Sequence, residues 1–423
     1  MSSETAINKS DDKTIHVSYS TGILTSILSG LGWLFDAYVI NIYALALPFI
    51  AATFNLKPVG LGIVASMFVV GYTIGTIGFG YITDRIGRKP TLSISILAYS
   101  VITAISGLAT SVGLLAVLRF LTGVGGGGEL PVGATFTSEN WPAKHRGIGI
   151  TAMYLGYPIG YMLAIFAAYA IIPILGWRWI FIGAIIPGLL ILIIRSKLEE
   201  SKRYIIAKKQ HEEEGLKKAS YSELFSNKKY LRSFIAGGLI YISLAYAYYS
   251  LSVFLPTFIM KALHQSYIQM IHVMIYLTLS YIGFTAIAGY LSDVIGRKPV
   301  AIFCALIAGI GGYVMFLQTN LSSFLLWGLL PYAAWVGMTW TVSIAYVNEI
   351  FPTRMRGTGF GASVGVGRVV SIFAPIISGF LASRIGFAGA FRLNAFIWIL
   401  MIAGYLIGPK ETKGKTLEAI HNQ

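Results

Sequence analysis

The chain has 423 residues, of which 56% are hydrophobic and 12% charged, with a mean hydropathy of +0.71. A soluble domain of this size cannot bury so much apolar surface, so most of it must face lipid. The formal net charge of +15 raises nucleic acid or an anionic surface as a partner, and the placement of the basic residues decides between these readings.

In chain order, apolar runs long enough to span a membrane, about 20 residues each, fall near 22–50, 59–82, 91–111, 113–137, 147–172 and 178–195. Six more follow near 232–260, 268–291, 299–318, 321–346, 357–382 and 388–408. Backbone groups in a bilayer must be satisfied internally, and continuous rather than alternating hydrophobicity selects helices over a barrel. The expected fold class is therefore an all-α integral membrane protein with twelve transmembrane helices. Residues 1–21 are polar and of mixed charge. The first run is too long for a signal-peptide core and has no cleavage site behind it, so it is expected to stay as the first helix. Cys304 is the only cysteine, which excludes an internal disulfide and a thiolate metal cluster and points to a core position in the ninth helix.

With twelve helices, the termini and the even-numbered connections share one face. That face carries 25 of the 32 Lys and Arg, eleven of them at 195–232. The other face carries Lys57, Arg178, Lys261, Arg384 and Arg392, and Arg119 and Arg368 lie within helices. The positive-inside rule makes both termini cytoplasmic, as in a multi-pass plasma-membrane protein, and the basic charge then needs no nucleic-acid partner.

The string Gly80-Tyr81-Ile82-Thr83-Asp84-Arg85-Ile86-Gly87-Arg88-Lys89-Pro90 recurs as Gly289-Tyr290-Leu291-Ser292-Asp293-Val294-Ile295-Gly296-Arg297-Lys298-Pro299, offset by 209 residues (84 to 293). A second pair, Glu139, Pro142, Arg146-Gly147 and Glu349, Pro352, Arg356-Gly357, is offset by 210 (139 to 349). Two motifs sharing nearly one offset mark a duplicated six-helix unit. The expected organisation is a tail at 1–21, bundles at 22–195 and 232–408, a solvated linker with short amphipathic helices at 196–231, and a tail at 409–423. Parallel repeats with a site between them suit alternating access.

These residues carry a resemblance. The Gly-x-x-x-Asp-Arg-x-Gly-Arg-Lys-Pro loop resembles the signature between helices 2 and 3 of the major facilitator superfamily, and Arg119-Phe120-Leu121-Thr122-Gly123 with Gly127 is similar to its helix 4 signature. Glu349 to Gly359 and Glu411-Thr412-Lys413-Gly414-Lys415 resemble its sugar-porter side, which includes phosphate, aromatic-acid, lactate-type and nicotinate-type symporters. Gly127-Gly128-Glu129-Leu130-Pro131-Val132 is closer to organic-acid and nicotinate-type members. Phe35-Asp36-Ala37-Tyr38-Val39 is similar to the Asp-x-[Phe/Tyr]-Asp of carboxylate and phosphate symporters, with Val39 in place of the second Asp.

Ionisable groups at membrane depth cost about 2.5–3.5 kcal/mol each on insertion, and they face a cavity or one another. Asp36 lies roughly 21 Å into the first helix at the helical rise, and Arg119 sits about six residues from the outer end of the fourth. They form a candidate proton-coupling pair, or else a permanent ion pair clamping two helices. Glu129, about 15 Å deeper than Arg119, is a second proton site, a contact to substrate, or a protonated carboxyl bonded to a neighbouring helix. Arg368 stands near the midplane of the eleventh helix with no acidic residue within helices 7 to 12. Its partner is an anionic substrate gripped in two-point fashion, or carbonyls of a helix broken near Pro375. Tyr241, Tyr246, Tyr248, Tyr249 and Phe254 on the seventh helix, with Tyr332, Trp335 and Trp340 on the tenth, offer apolar walls for a ring-bearing solute. Tyr246, Tyr249, Trp335 and Trp340 are the candidate contacts, with Arg368.

The glycines Gly123, Gly125, Gly126, Gly127 and Gly128 read as a close-packing face, since no P-loop Lys-Ser/Thr follows them. Asp84 and Asp293 can accept hydrogen bonds from helix N-termini. Arg88, Arg146, Arg297 and Arg356 can pair with Glu139 and Glu349, so all eight are candidate gating residues. His272 near the outer end of the eighth helix reads as packing. No catalytic constellation, ATP motif, metal cluster or cofactor site is present in the sequence, and the chain is expected to act as a monomer in the bilayer. The leading expectation is secondary active transport of a small organic anion, coupled to protons. Sugar or phosphate transport comes second, and a transporter-like sensor third.

Overall fold

The computed structural model describes residues 18–55, 58–213, 220–333, 337–417 and 420. Nine stretches of the described residues are long and apolar enough to cross a membrane. One of them, Thr353–Ile407, is 55 residues long and holds two spans, because the helix Arg356–Asn394 turns sharply at Gly386, whose φ is 73°. Two further spans, one broken at Gly127–Gly128 and one whose middle lies outside the described residues, bring the number to twelve.

In order these are α1 (Tyr19–Phe54), α2 (Pro58–Ile86), α3 (Arg88–Ser106), α4 (Val112–Gly126 and Glu129–Glu139), α5 (Arg146–Tyr154 and Gly156–Leu175) and α6 (Trp177–Ile182 and Ile185–Arg195). The second half has α7 (Lys228–Lys261), α8 (Tyr267–Val294), α9 (Arg297–Leu306 to Gly312–Met315), α10 (Leu321–Ala333 and Thr339–Glu349), α11 (356–385) and α12 (387 to 407). The fold is the expected pair of pseudo-symmetric six-helix bundles. Left-handed backbone recurs at the repeat spacing: Gly87 and Gly296 start α3 and α9 with φ of 106° and 126°, and Gly176 and Gly386 turn α5 into α6 and α11 into α12 with φ of 84° and 73°. Only glycine adopts these angles without strain.

The glycine run packs as expected. Gly123 and Gly127 lie against the α2 backbone at Tyr72, Gly125 against Tyr99 and Gly126 against the Asp36 carboxyl. Cys304 is buried in α9, and His272 is exposed on α8.

The linker departs from a solvated tether. Its helices, Lys202–Glu213 and Tyr221–Ser226, are pinned to the bundles on the face rich in Lys and Arg, here the basic face. Arg203 is buried and donates to the carbonyl of Glu139 at 3.0 Å, and Tyr204 lies under the Arg88 guanidinium at 4.5 Å. Tyr221 donates to the Ile77 carbonyl of α2 at 2.7 Å, Leu224 is fully buried, and Glu223 pairs with Arg354 of the other half. Burial pushes the Tyr221 hydroxyl well above the usual phenol range, so it stays a donor.

Candidate functional site

The repeated motifs meet on the basic face as one buried cluster. Arg88 grips Glu139 through Nε at 3.1 Å and Nη2 at 2.9 Å, and Arg356 of the other half reaches the same carboxylate at 2.8 Å. The mirror arrangement has Arg297 at 3.3 Å and Arg146 of the first half at 2.8 Å on Glu349. Each carboxylate therefore holds one guanidinium from its own bundle and one from the other. Asp84 accepts from the N–H groups of Gly357 (3.1 Å) and Thr358 (2.7 Å) at the start of α11, while Asp293 accepts from Gly147 (2.9 Å) and Ile148 (3.0 Å) at the start of α5. An anion at a helix N-terminus meets unpaired donors and the positive end of the dipole. Thr135 of α4 also donates to Asn348 of α10 at 2.9 Å, a further buried bond between the bundles. At this face the bundles are closed on one another.

Deeper, a small cavity of about 30 Å³ lies between the bundles, lined by Trp33, Tyr154 and Tyr157 from the first and Tyr248, Tyr249, Tyr281, Trp340 and Arg368 from the second. Arg368 is about 18 Å along α11 from its start on the basic face. Its Nη1 donates to the Tyr249 hydroxyl at 2.6 Å, and its guanidinium rests on the Tyr72 ring at 4.7 Å. Among the described residues no carboxylate forms an ion pair with it, and its buried Nε has no hydrogen-bond partner. The same is true of the Trp33 indole N–H. The tyrosine contact replaces the alternative of broken-helix carbonyls near Pro375.

Of the expected aromatic contacts, Tyr249 and Trp340 line the cavity. Tyr246 points elsewhere: its hydroxyl donates to Asn394 at 2.8 Å, because successive residues on a helix diverge by about 100°. Trp335 lies outside the described residues, as do the side chains of Phe254 and Tyr332. Trp33, Tyr154, Tyr157 and Tyr281 went unpredicted, since aromatic residues in apolar helices carry no sequence mark separating cavity from lipid.

Asp36 is buried and accepts a hydrogen bond from the Tyr72 hydroxyl at 2.8 Å. The alternative of a permanent ion pair with Arg119 is not realised among the described residues. Arg119 is buried too, but its guanidinium lies on the rings of Phe68 (4.3 Å) and Tyr43 (4.8 Å), and its Nε and Nη1 have no hydrogen-bond partner among the described residues. Asp36 meets Gly126 of α4, whereas Arg119 lies about two turns further along that helix, level with Tyr43 of α1, so the two groups sit at different depths. Glu129 also differs from its expected settings. It makes a two-point ion pair with Arg195 at the end of α6, at 2.8 and 3.0 Å, and Arg195 adds a bond to the Leu28 carbonyl of α1 at 3.0 Å. Gly32 of α1 faces this pair so closely that an added Cβ would overlap both side chains.

A family model described as the Major Facilitator Superfamily matches residues 29–271 and 237–421. A Bacillus subtilis protein provisionally named as the niacin/nicotinamide transporter NiaP is 31% identical over 92% of this chain and 96% of its own. The cis,cis-muconate transport protein of Acinetobacter baylyi is 28% identical over 94% and 95%. The solved structure of the proton:xylose symporter XylE has a TM-score of 0.78 at 22% identity, covering 96% of this chain and 99% of that one, which speaks for the fold. With twelve helices in two duplicated bundles and the family's model matched in both, the chain belongs to the Major Facilitator Superfamily and is a multi-pass membrane transporter rather than an enzyme.

Proposed function

We propose that this chain carries a small organic carboxylate, ring-bearing or conjugated, across the plasma membrane by alternating access in symport with protons. The observation that carries this reading is a cavity that holds a cation and unmatched N–H donors and has no carboxylate among the described residues of its wall. Arg368 and Trp33 each bring a buried N–H without a partner among the described residues, and aromatic rings supply the rest of the wall. A carboxylate offers two acceptor oxygens and a charge to match the guanidinium, and a flat π-system suits the rings. The relatives named for niacin and muconate transport handle solutes of this class. At about 30 Å³ the cavity holds little more than a water, so a solute enters only as the bundles part.

The basic face is read as cytoplasmic from the charge bias. The Glu139 and Glu349 clusters, with the Asp84 and Asp293 caps, then form the inner gate, held closed here. Opening inward breaks both clusters together, since each carboxylate bridges the bundles. Asp36 is assigned the transported proton, because it is buried and its hydrogen bond comes from a neutral phenol rather than a cation. Glu129, matched by Arg195, is assigned a structural role.

The test uses protein reconstituted in proteoliposomes with a luminal pH dye, challenged with nicotinate, benzoate, muconate, phosphate and sugars. A carboxylate should acidify the lumen, Arg368→Gln should abolish uptake, and Asp36→Asn should retain exchange while losing acidification. Uptake confined to sugars or phosphate sinks the reading.

A further inference from the structure

One side chain touches both of the groups just assigned. The Tyr72 hydroxyl donates to Asp36 Oδ2 at 2.8 Å, and the face of its ring carries the Arg368 guanidinium at 4.7 Å. Asp36 belongs to α1 and Arg368 to α11 of the other bundle, so Tyr72 bridges the two halves at the depth of the cavity. Its backbone is held fast, because Gly123 and Gly127 of α4 press against the Tyr72 amide and carbonyl. Only the side chain is left to respond.

We propose that Tyr72 is the positioning residue that couples proton to anion, resting on the reading above of Asp36 and Arg368. An ionised Asp36 draws the phenol O–H toward itself. That polarises the ring and strengthens its hold on the guanidinium, as hydrogen bonds and cation–π contacts in a dry site reinforce one another. A carboxylate arriving at Arg368 competes for the same cation and leaves the ring without its charge. The phenol then supports the Asp36 anion less well, and Asp36 takes up a proton. By reciprocity, a proton on Asp36 frees Arg368 and raises anion affinity by the same factor. One anion thus travels with one proton.

Other charged and titratable groups surround Asp36. These are Arg119 and Glu129 of α4, Arg195 of α6 beyond Glu129, Tyr99 of α3 and Tyr157 of α5. Glu129 is neutralised by Arg195, and Arg119 lies on aromatic rings, so neither meets the anion site as Tyr72 does.

The experiment measures binding and exchange of labelled nicotinate by the full-length protein in liposomes between about pH 5.5 and 8. In the wild type, affinity should fall about tenfold per pH unit wherever Asp36 is ionised in the free carrier and protonated in the bound one. Tyr72→Phe keeps the ring under Arg368 and removes the hydroxyl. It should bind within about threefold of wild type at low pH, continue exchange, and flatten the pH slope to about twofold per unit. Tyr72→Phe should also change nothing further in an Asp36→Asn background, an arm that reads the link without relying on the slope. A full wild-type slope in Tyr72→Phe overturns the coupling role and leaves the carboxylate reading standing. Absence of pH-dependent carboxylate binding in the wild type removes both.

Discussion

Glu200 and Glu411, 211 residues apart, occupy equivalent places at the ends of the two bundles. Each carboxylate accepts from two successive backbone N–H groups at the start of a helix: Arg88 and Lys89 at 3.0 and 3.1 Å for Glu200, and Arg297 and Lys298 at 2.9 and 2.8 Å for Glu411. The next residue also repeats, with Ser201 bonded to Glu139 and Thr412 to Glu349. The duplication therefore extends into the linker and the C-terminal segment, where each glutamate ties its chain end under α3 or α9.

Removing either cap should loosen closure of the basic face to a similar degree, about 0.5–2 kcal/mol by analogy with other helix caps. Because the single native cysteine is buried, Thr76→Cys, at the buried contact between α2 and α11, reports opening through its rate of maleimide modification. Glu200→Gln and Glu411→Gln should each raise that rate several-fold. An effect from one and none from the other would break the equivalence.

Substituting the central carboxylates should do more. Glu139→Gln or Glu349→Gln leaves one buried guanidinium, Arg356 or Arg146, without an anion, since Arg88 and Arg297 keep Asp84 and Asp293, and unpairing a buried charge costs about 3–5 kcal/mol. The expected result is a protein biased toward opening at the basic face, with Thr76→Cys modification up more than tenfold and solute accumulation lost. Unchanged modification would mean that packing rather than charge holds the gate.

Arg195→Met should lower thermal stability in detergent more than Glu129→Gln does, since it strands a buried carboxylate and also the α1 carbonyl of Leu28. The double substitution should recover part of the loss. Strict additivity of the two melting-point shifts would argue against a pair acting as a unit.

Arg368→Lys preserves charge and loses the planar fork. Carboxylate binding should weaken by about 2–5 kcal/mol, roughly thirtyfold or more, because an ammonium reaches neither the Tyr249 hydroxyl nor both carboxylate oxygens in one plane. Isothermal titration with nicotinate and benzoate checks this, and near-native affinity would show that charge alone suffices.

The fold was legible because hydrophobic run length and a repeated loop are properties of the chain itself. The pairing of the eight motif residues was legible for the same reason: identical residues at nearly one offset must occupy equivalent places, and both places lie beside the bundle interface. What stayed hidden depends on rotation about helix axes. Arg195 reads in sequence as one more basic residue closing an apolar run, and its burial comes from α6 ending against Gly32. Asp36 and Arg119 fall in the same half of the membrane, yet Asp36 packs against Gly126, about two turns along α4 from Arg119, which turns onto the Phe68 and Tyr43 rings. Glu200 sits beside Glu199 in a charged segment where nothing distinguishes the capping carboxylate from the solvated one. Tyr72 is an unremarkable tyrosine among 25 until α1 and α11 close on either side of it.

The glycines of the repeated loops fix how the closed face can let go. Gly80 meets the carbonyl of Gly357, with 2.5 Å left to an added Cβ, and Gly289 meets that of Gly147 in the same way at 2.6 Å. Backbone approaches backbone at both crossings, with the small side chains of Thr83, Thr151 and Ser292 beside it. Surfaces built of glycine and such small side chains have little to unlock sterically, so on the proposed gating role friction at the seam is low and the buried charges set the dwell time of the shut carrier. Water reaching Glu139 and Glu349 would then act as the lubricant, weakening attraction at the moment the surfaces begin to separate.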